Sequence, residues 1–406
     1  MTAYRRLLRT PEFTPLLLSS AAHTAAQTIA GLALGTLVHR ATGSPLLSAV
    51  SMFGPSLAQV VGASVLLSGA DRLPPRRALA GLSLAFAATT AVLAAPALPI
   101  AAVFVVVLAQ GLVAALGGGV RWGLLNEITP KDGYLPARSV FNMMNGLLQI
   151  TGYATGGVLV TVLSPHRVLL LAAVLHTTAA LTARAGLTAR APRATGRPSA
   201  AATRRTNAVL WSSRPRRLLY LGLWLPNGLI VGCEALFVSY DPAGAGALFA
   251  CAALGMLAGD LAVGRLLPPA LRARLATPLL LLLAAPYAVF ALRPPLPVAA
   301  LAAAVASVGF GASLVQQERL MALTPPELAG HALGLHSAGM LTAQGVSAVL
   351  AGTAAQLTSP ATAMTTMALA SAAVTLTLAR AGSPRAAALR RVRGEGDGVH
   401  QGGEAG

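Results

Sequence analysis

Long apolar stretches separated by short polar connectors run through this chain from end to end. Breaks at glycine, proline and clustered charge divide the pattern into helical segments. We place these segments at residues 13–38, 45–68, 78–95, 98–125, 139–163, 166–183, 217–240, 243–264, 275–292, 296–317, 331–357 and 360–379. A helix needs roughly 20 apolar residues to cross a bilayer. The pattern therefore predicts an all-α membrane protein with about twelve transmembrane helices.

The composition excludes a soluble globular protein. Hydrophobic residues make up 55% of the 406 residues and charged residues only 10%, whereas soluble chains are about a quarter charged. The net charge of +18 would suit a nucleic-acid binder. Here the arginines lie in short connectors between apolar segments, where positive residues set orientation in a bilayer. We therefore expect a lipid bilayer as partner and no nucleic acid.

The positive residues also predict the orientation. Of the 30 lysines and arginines, all but Arg40, Arg167 and Arg293 fall on the side of the N-terminus. Positive residues concentrate in cytoplasmic loops. The prediction is a multi-pass protein of the cell's inner membrane with both termini in the cytoplasm. Residues 1–12 form its N-terminal segment, and the charged, glycine-rich residues 382–406 form a disordered tail.

One connector, residues 184–216, is longer and more basic than the others. It is rich in arginine, small residues and proline and has no acidic residue, so we expect it to be a largely flexible cytoplasmic linker. It separates a six-helix bundle at 13–183 from a second at 217–381. The halves also repeat, because a shift of 195 positions superposes Thr129-Pro130 on Thr324-Pro325, Ala137 on Ala332, Gln149 on Gln344 and Gly157 on Gly352.

Two motifs resemble those of the major facilitator superfamily. The connector Gly69-Ala70-Asp71-Arg72-Leu73-Pro74-Pro75-Arg76-Arg77 has the family's glycine, Asp-Arg and basic pair, with Pro74-Pro75 in place of one glycine. The segment Gly152-Tyr153-Ala154-Thr155-Gly156-Gly157 is similar to the glycine-rich motif of bacterial exporters, whereas Val107 stands where the family's antiporter motif has arginine. The resemblance implies the family's fold of two six-helix bundles, an exporter-like member and a monomer.

The first motif also implies a gate. By resemblance, Asp71, Arg72, Arg76 and Arg77 would hold the cytoplasmic side closed by charge-assisted hydrogen bonds, with Arg265 in a degraded second copy. The alternative is that these positive residues only anchor the loop.

Polar residues recur at helical spacing within several apolar segments. Because polar side chains that face lipid are costly, such stripes are expected to face a cavity or another helix. The candidates for a substrate cavity are His23, Gln27, Asn142, Asn145, Gln149, Asn227, His336 and Gln344. Hydrogen bonding between helices is the alternative for each stripe. For Gly152, Gly156 and Gly157 we favour close helix packing over a hinge.

Two carboxylates lie well inside the predicted spans. Glu234 precedes Asp241 by two turns, so it lies about 10 Å inside the helix end. A carboxylate at that depth could take up and release a proton as the site changes its exposure. Glu234 and Asp260 are therefore the candidates for proton coupling. The alternatives are an outer-gate hydrogen bond for Glu234 and a structural pairing with Arg265 for Asp260.

These features favour a secondary active transporter over other classes. The spans contain no histidine spacing typical of metal ligands and no carboxylate pair at i, i+3 or i+4, so we expect no metal, no cofactor and no enzyme activity. We predict proton-coupled export of a small apolar or amphipathic metabolite or drug by alternating access. The alternatives are a proton- or sodium-coupled importer of an organic solute and a membrane sensor that does not transport.

Overall fold

The computed structural model describes residues 7, 9–70, 73–129, 134–192 and 200–381, and it places these residues in helices and short connections without a strand. We number the twelve long helical segments in chain order. They are α1 Phe13–Thr42, α2 Pro45–Ala70, α3 Pro75–Leu93, α4 Ile100–Ile128, α5 Tyr134–Val162, α6 Pro165–Gly186, α7 Arg214–Tyr240, α8 Ala245–Leu266, α9 269–292, α10 Leu296–Ala322, α11 Ala329–Leu357 and α12 Pro360–Ala381.

Nine of these segments, counted over the described residues, are long and apolar enough to cross a membrane. The observed bounds lie within six residues of the predicted ones, and glycine or proline marks several of the helix ends. Gly43, with φ 63°, ends α1 and donates its N–H to the carbonyl of His39. Proline occupies the first turn of α3 and α6, where its missing N–H costs nothing.

Several segments are not continuous α-helices. In α7 the helix Arg214–Glu234 ends and a short helix, Phe237–Tyr240, follows. The last turn of α8, Ala262–Leu266, is π-helical. In α9 the chain tightens to a 3-10 helix over Ala285–Leu292. The break in α7 comes directly after Glu234, so this residue is the last of its helix.

The segments form two six-helix halves, α1–α6 and α7–α12. The halves meet along two interfaces, with α2 against α11 and α5 against α8. Because successive helices are antiparallel, all connections lie at two ends of the molecule. We call the end at which α1 passes into α2 the Gly43 end, and the end at which α6 leads towards α7 the linker end.

Two glycines that the sequence repeat relates occupy matching places at these interfaces. A Cβ on Gly157 in α5 would lie 2.7 Å from the Cα of Gly246 in α8. A Cβ on Gly352 in α11 would lie 2.7 Å from the Cα of Leu46 in α2. Each glycine therefore lets a helix of one half approach the backbone of the other half near the Gly43 end.

The linker contains a helix that the sequence analysis did not predict. Ala200–Ser212 is helical, so the expectation of a largely flexible linker is wrong for these residues. Leu210 is fully buried against Tyr220 and Leu223 of α7, and Trp211 stacks on Trp224 with ring centroids 5.6 Å apart. This helix forms because it packs on the second half, and such a contact is not visible in local composition.

Candidate functional site between the two halves

A cavity of about 390 Å³ lies between the two halves. Its wall comes from α2 and α5 of the first half and from α7, α8, α10 and α11 of the second. Neutral polar side chains line part of it, namely Gln149, Tyr153, Ser313, Gln317 and Gln344. The remaining lining is apolar, including Phe53, Phe249, Phe310 and Met340, apart from two carboxylates. This is the setting of a binding site for an organic molecule with both polar and apolar parts.

The halves are closed against each other at the Gly43 end of this cavity. Ser44 donates to the Gln356 side chain at 2.8 Å, and Ser239 and His39 form a hydrogen bond of 3.3 Å. Tyr153 and Phe249 stack across the interface with ring centroids 4.7 Å apart. These contacts join the halves over the last turns before the Gly43 end.

Glu234 lies in the wall of the cavity at the break in α7. Its side chain is only 8% exposed, and within the described structure its Oε1 atom has no hydrogen-bond partner. Burying a polar atom without a hydrogen-bond partner is costly. The end of the first helix of α7 thus places a buried carboxyl oxygen without a partner among the described residues at the wall of the cavity between the halves.

Asp260 lines the same cavity from α8 but is more exposed than Glu234. The pairing with Arg265, the alternative considered from the sequence, is not present, because Asp260 forms no ion pair with any described residue. The two carboxylates therefore share one cavity at different depths. No lysine, arginine or histidine is among the residues that line it over the described chain.

The other predicted cavity residues of α5, α7 and α11 divide into two groups. Gln149 and Gln344, which the sequence repeat relates, line the cavity from opposite halves. Asn227 and His336 are buried behind the wall. The Asn227 amide donates to the carbonyl of Leu223 at 2.6 Å and to the Ser313 hydroxyl at 3.3 Å. Asn227 can thus position a lining residue without lining the cavity itself.

The remaining polar candidates lie inside or around the first half. His23 packs against Phe86 and His176, with ring centroids 5.2 and 5.0 Å away. Gln27 lines a separate cavity of about 260 Å³ within the α1–α6 half. Asn145 accepts a hydrogen bond of 3.0 Å from Thr24, and Asn142 is exposed. The structure therefore does not bring these four residues to the cavity between the halves.

The glycine-rich segment of α5 faces two different helices. A Cβ on Gly152 would meet Thr28 of α1 at 3.0 Å, and one on Gly156 would meet Leu32 of α1 at 3.5 Å. Gly157 instead faces Gly246 of α8 in the other half. One motif thus supports packing both within a half and between the halves.

Of the predicted gate, Asp71 and Arg72 lie outside the described residues. Arg76 donates from Nε to the carbonyl of Arg184 at 2.8 Å, which ties the start of α3 to the end of α6. Arg77 and Arg265 are exposed at the linker end. The gate remains a prediction.

An ion-pair network at the linker end was not predicted. Arg190 in the linker contacts Glu12 through both terminal guanidinium nitrogens and pairs with Glu127 through Nε at 2.8 Å. Burial alone would raise the pKa of the Glu12 carboxyl, but hydrogen bonds from Arg190 and Thr188 outweigh it and hold that pKa below its ordinary value. The network fastens the first residues of the linker to the α1–α6 half.

Sequence reasoning also missed Tyr153 and Gln317 as cavity-lining residues. Tyr153 was noticed only as a member of the glycine-rich segment. Gln316 and Gln317 form a polar pair within an apolar segment, and this pair was the sequence feature that could have indicated a cavity-lining residue. Across the described part of the chain, no three histidine, cysteine or acidic residues form a group that could hold a metal ion.

Comparisons with known proteins find similarity in structure but not in sequence. No family model and no curated protein sequence matches the chain. Among solved structures, it is similar to a POT family transporter in complex with a thioalcohol-conjugated peptide, at 12% identity and a TM-score of 0.72, covering 91% of this chain and 95% of that one. It is similar to the nucleoside transporter NupG, at 15% identity and a TM-score of 0.71, covering 91% and 100%.

A third similar structure is a bacterial homologue of the human lysosomal transporter Spinster, in an inward-facing and occupied conformation. The identity is 13% and the TM-score 0.66, with 91% of this chain and 96% of that one covered. At such identities the likeness establishes the fold alone. The chain is a multi-pass, all-helical membrane protein with the fold of major facilitator superfamily transporters, which is not the fold of an enzyme family. The predicted fold class is confirmed.

Proposed function

We propose that this protein is a secondary active transporter that carries a small neutral or cationic, partly apolar organic solute through the cavity between its halves, with Glu234 as the proton-coupling group. The observation that carries the proposal is the pair of carboxylates, Glu234 and Asp260, in one cavity that has no basic residue among its described lining.

The position of the cavity supports alternating access. Transporters of this fold bind solute where their repeated halves meet and expose it to either side by moving one half against the other. Here the contacts between the halves concentrate at the Gly43 end, and Asp260 lies nearer the linker end than Glu234. With the predicted orientation, the described conformation would expose the site to the cytoplasm.

The chemistry of the lining restricts the solute. A solute carboxylate would meet two acidic side chains and no cation, and like charges in a cavity of low dielectric repel strongly. The similar structures include carriers of peptides and nucleosides. Of these classes, a peptide with a free carboxylate fits this cavity worse than an uncharged or cationic amphipathic molecule.

Coupling would operate through the change of environment at Glu234. A proton taken up at Glu234 from one side of the membrane would leave when the site faces the more alkaline side, and a cationic solute could then take its place. Such exchange corresponds to proton-driven export, the direction expected from the glycine-rich motif of α5. An importer would move the proton and the solute in the same direction.

The test is proton movement in proteoliposomes that contain the purified protein and a trapped pH indicator. A panel of lipophilic cations, uncharged amphipathic compounds and carboxylates of matched size is added without an imposed gradient. We expect proton release or uptake with some cations or neutral compounds, and its sign distinguishes antiport from symport. Transport restricted to the carboxylates would overturn the proposed solute class, and folded protein that moves no compound would favour the sensor alternative.

A further inference from the structure

A second large cavity lies inside the α7–α12 half, away from the interface between the halves. It has a volume of about 810 Å³ and opens at the linker end between α7, α9, α10 and α12. Most of its wall is aliphatic, with Leu218, Leu219, Leu280, Leu323 and Leu378. A cavity of this size accommodates a ligand as large as a typical drug. Among the described residues, it shares no lining residue with the cavity between the halves.

The rim of this cavity is basic. Arg214, at the start of α7, and Arg319, near the end of α10, both line it. One Arg214 Nη atom donates to the carbonyl of Ala381, and a guanidinium group carries further donors. The acidic neighbour Glu318 is paired with Arg272 at 3.7 Å and is not among the lining residues. The rim therefore places two guanidinium groups at the mouth of the cavity.

Two polar side chains lie deeper in the same wall without partners. Gln316, one turn before Arg319 on α10, is 7% exposed, and Thr375 on α12 is 2% exposed. The Gln316 Oε1 and Thr375 Oγ1 atoms have no hydrogen-bond partner in the described structure. Buried polar atoms are rarely left unpaired, so a ligand with hydrogen-bonding groups in the cavity would satisfy them.

The surroundings indicate where such a ligand comes from. Leu323 lines the cavity and is 48% exposed, and Leu271 and Leu376 are also exposed on the same helices. In a bilayer we expect exposed leucines such as these to contact lipid. The cavity thus joins an apolar outer surface to a basic rim at the end that carries the linker.

We propose that this cavity binds one anionic phospholipid, with its phosphate at Arg214 and Arg319, its remaining headgroup towards Gln316 and Thr375, and the start of an acyl chain along the leucines. Basic pockets between transmembrane helices on the cytoplasmic side are suited to anionic headgroups. With the predicted orientation, the linker end faces that leaflet. The lipid would fill the space between α7 and the outer helices α9 and α12.

The test is native mass spectrometry of the purified protein with equal amounts of phosphatidylglycerol and phosphatidylcholine. We expect wild type to retain one phosphatidylglycerol preferentially, and the double variant Arg214→Gln/Arg319→Gln to bind it roughly tenfold more weakly. Arg204→Gln/Arg205→Gln is the matched control, since it removes two exposed arginines from the linker helix outside the cavity. This control is expected to retain the lipid as wild type does.

A second variant separates the cavity from general charge. Ala379→Trp fills the mouth of the cavity from α12 and leaves every arginine in place, so it is expected to reduce retention as the double variant does. Equal retention of the two lipids by wild type would overturn the proposal. So would an equal loss in the control, which would indicate diffuse attraction, or full displacement by inorganic phosphate, which would indicate a site for a soluble anion.

Discussion

The close contact between α5 and α8 gives a sharp test of whether closure at the Gly43 end defines one state of a transport cycle. A Cβ added at Gly157 would lie 2.7 Å from the Cα of Gly246, and the next nearest atoms are also backbone. Carbon atoms normally approach to about 3.5–4.0 Å. No side-chain rotation relieves the overlap, so Gly157→Ala requires the two helices to separate by about 1 Å.

The cost of this separation falls on the closed conformation alone. Overpacking of a tight interface costs about 1–3 kcal/mol. If the alternative state parts α5 from α8 at the Gly43 end, that cost disappears there. The ratio of the two states would then shift by about 5–150-fold towards opening.

Gly156→Ala is the matched control. It lies one residue away on the same helix and gains the same helix propensity, but its Cβ would make only ordinary contacts with Leu32 and Ile29 inside the first half. Both substitutions can therefore be compared without a difference in helix propensity.

The assay is double electron–electron resonance, which measures the distance between two nitroxide labels. The labels are placed at the exposed positions Thr161→Cys, at the end of α5, and Ala243→Cys, just before α8. We expect Gly157→Ala to move the distance distribution towards longer separations, while Gly156→Ala keeps the wild-type distribution. Identical distributions in both variants, with both proteins folded, would refute the reasoning that this contact opposes opening.

The remaining predictions concern the linker and the mouth of the cavity. Arg190→Ala is expected to lower the melting temperature, because it removes charge-assisted bonds to Glu12 that are worth about 1.5–3 kcal/mol, whereas Arg184→Ala, an exposed position, has little effect. The pKa of Glu12 lies below its ordinary value of 4.5. The stability that the pair of Glu12 and Arg190 adds is therefore present above pH 4.5 and is lost as the pH falls through the lowered pKa. A melting-temperature difference between wild type and Arg190→Ala that persists after protonation of Glu12 would contradict this. Asp260→Asn is expected to raise the KM for a cationic solute by up to about fivefold and to leave an uncharged solute unaffected, as measured by initial uptake rates in proteoliposomes.

The helices were predictable because their signals are local. Glycine, proline and charge clusters end each segment, and the bilayer sets the length of the apolar stretch between them. The helix at Ala200–Ser212 was missed because its stability depends on contacts of Leu210 and Trp211 with α7. The break after Glu234 was also missed, since neither glycine nor proline stands at Ala235-Leu236, where the helix is interrupted.

The site was only partly predictable for a related physical reason. Helical spacing shows which side chains share a face, but it does not show which helix that face meets. Gln149 and Gln344 reach the cavity between the halves, whereas His23 meets Phe86 and His176 within one half. Glu234 was identified because a lone carboxyl deep in an apolar helix is costly wherever the helix packs.

The most direct test of the account compares wild type with Glu234→Gln in proteoliposomes that are preloaded with a transported solute. Glutamine retains the size and polarity of the side chain but cannot bind or release a proton at the pH values of the experiment. We predict that solute exchange without a proton gradient continues in the variant, while accumulation driven by a pH gradient is lost. Gradient-driven accumulation at the wild-type rate in Glu234→Gln would contradict the central claim that Glu234 couples transport to protons.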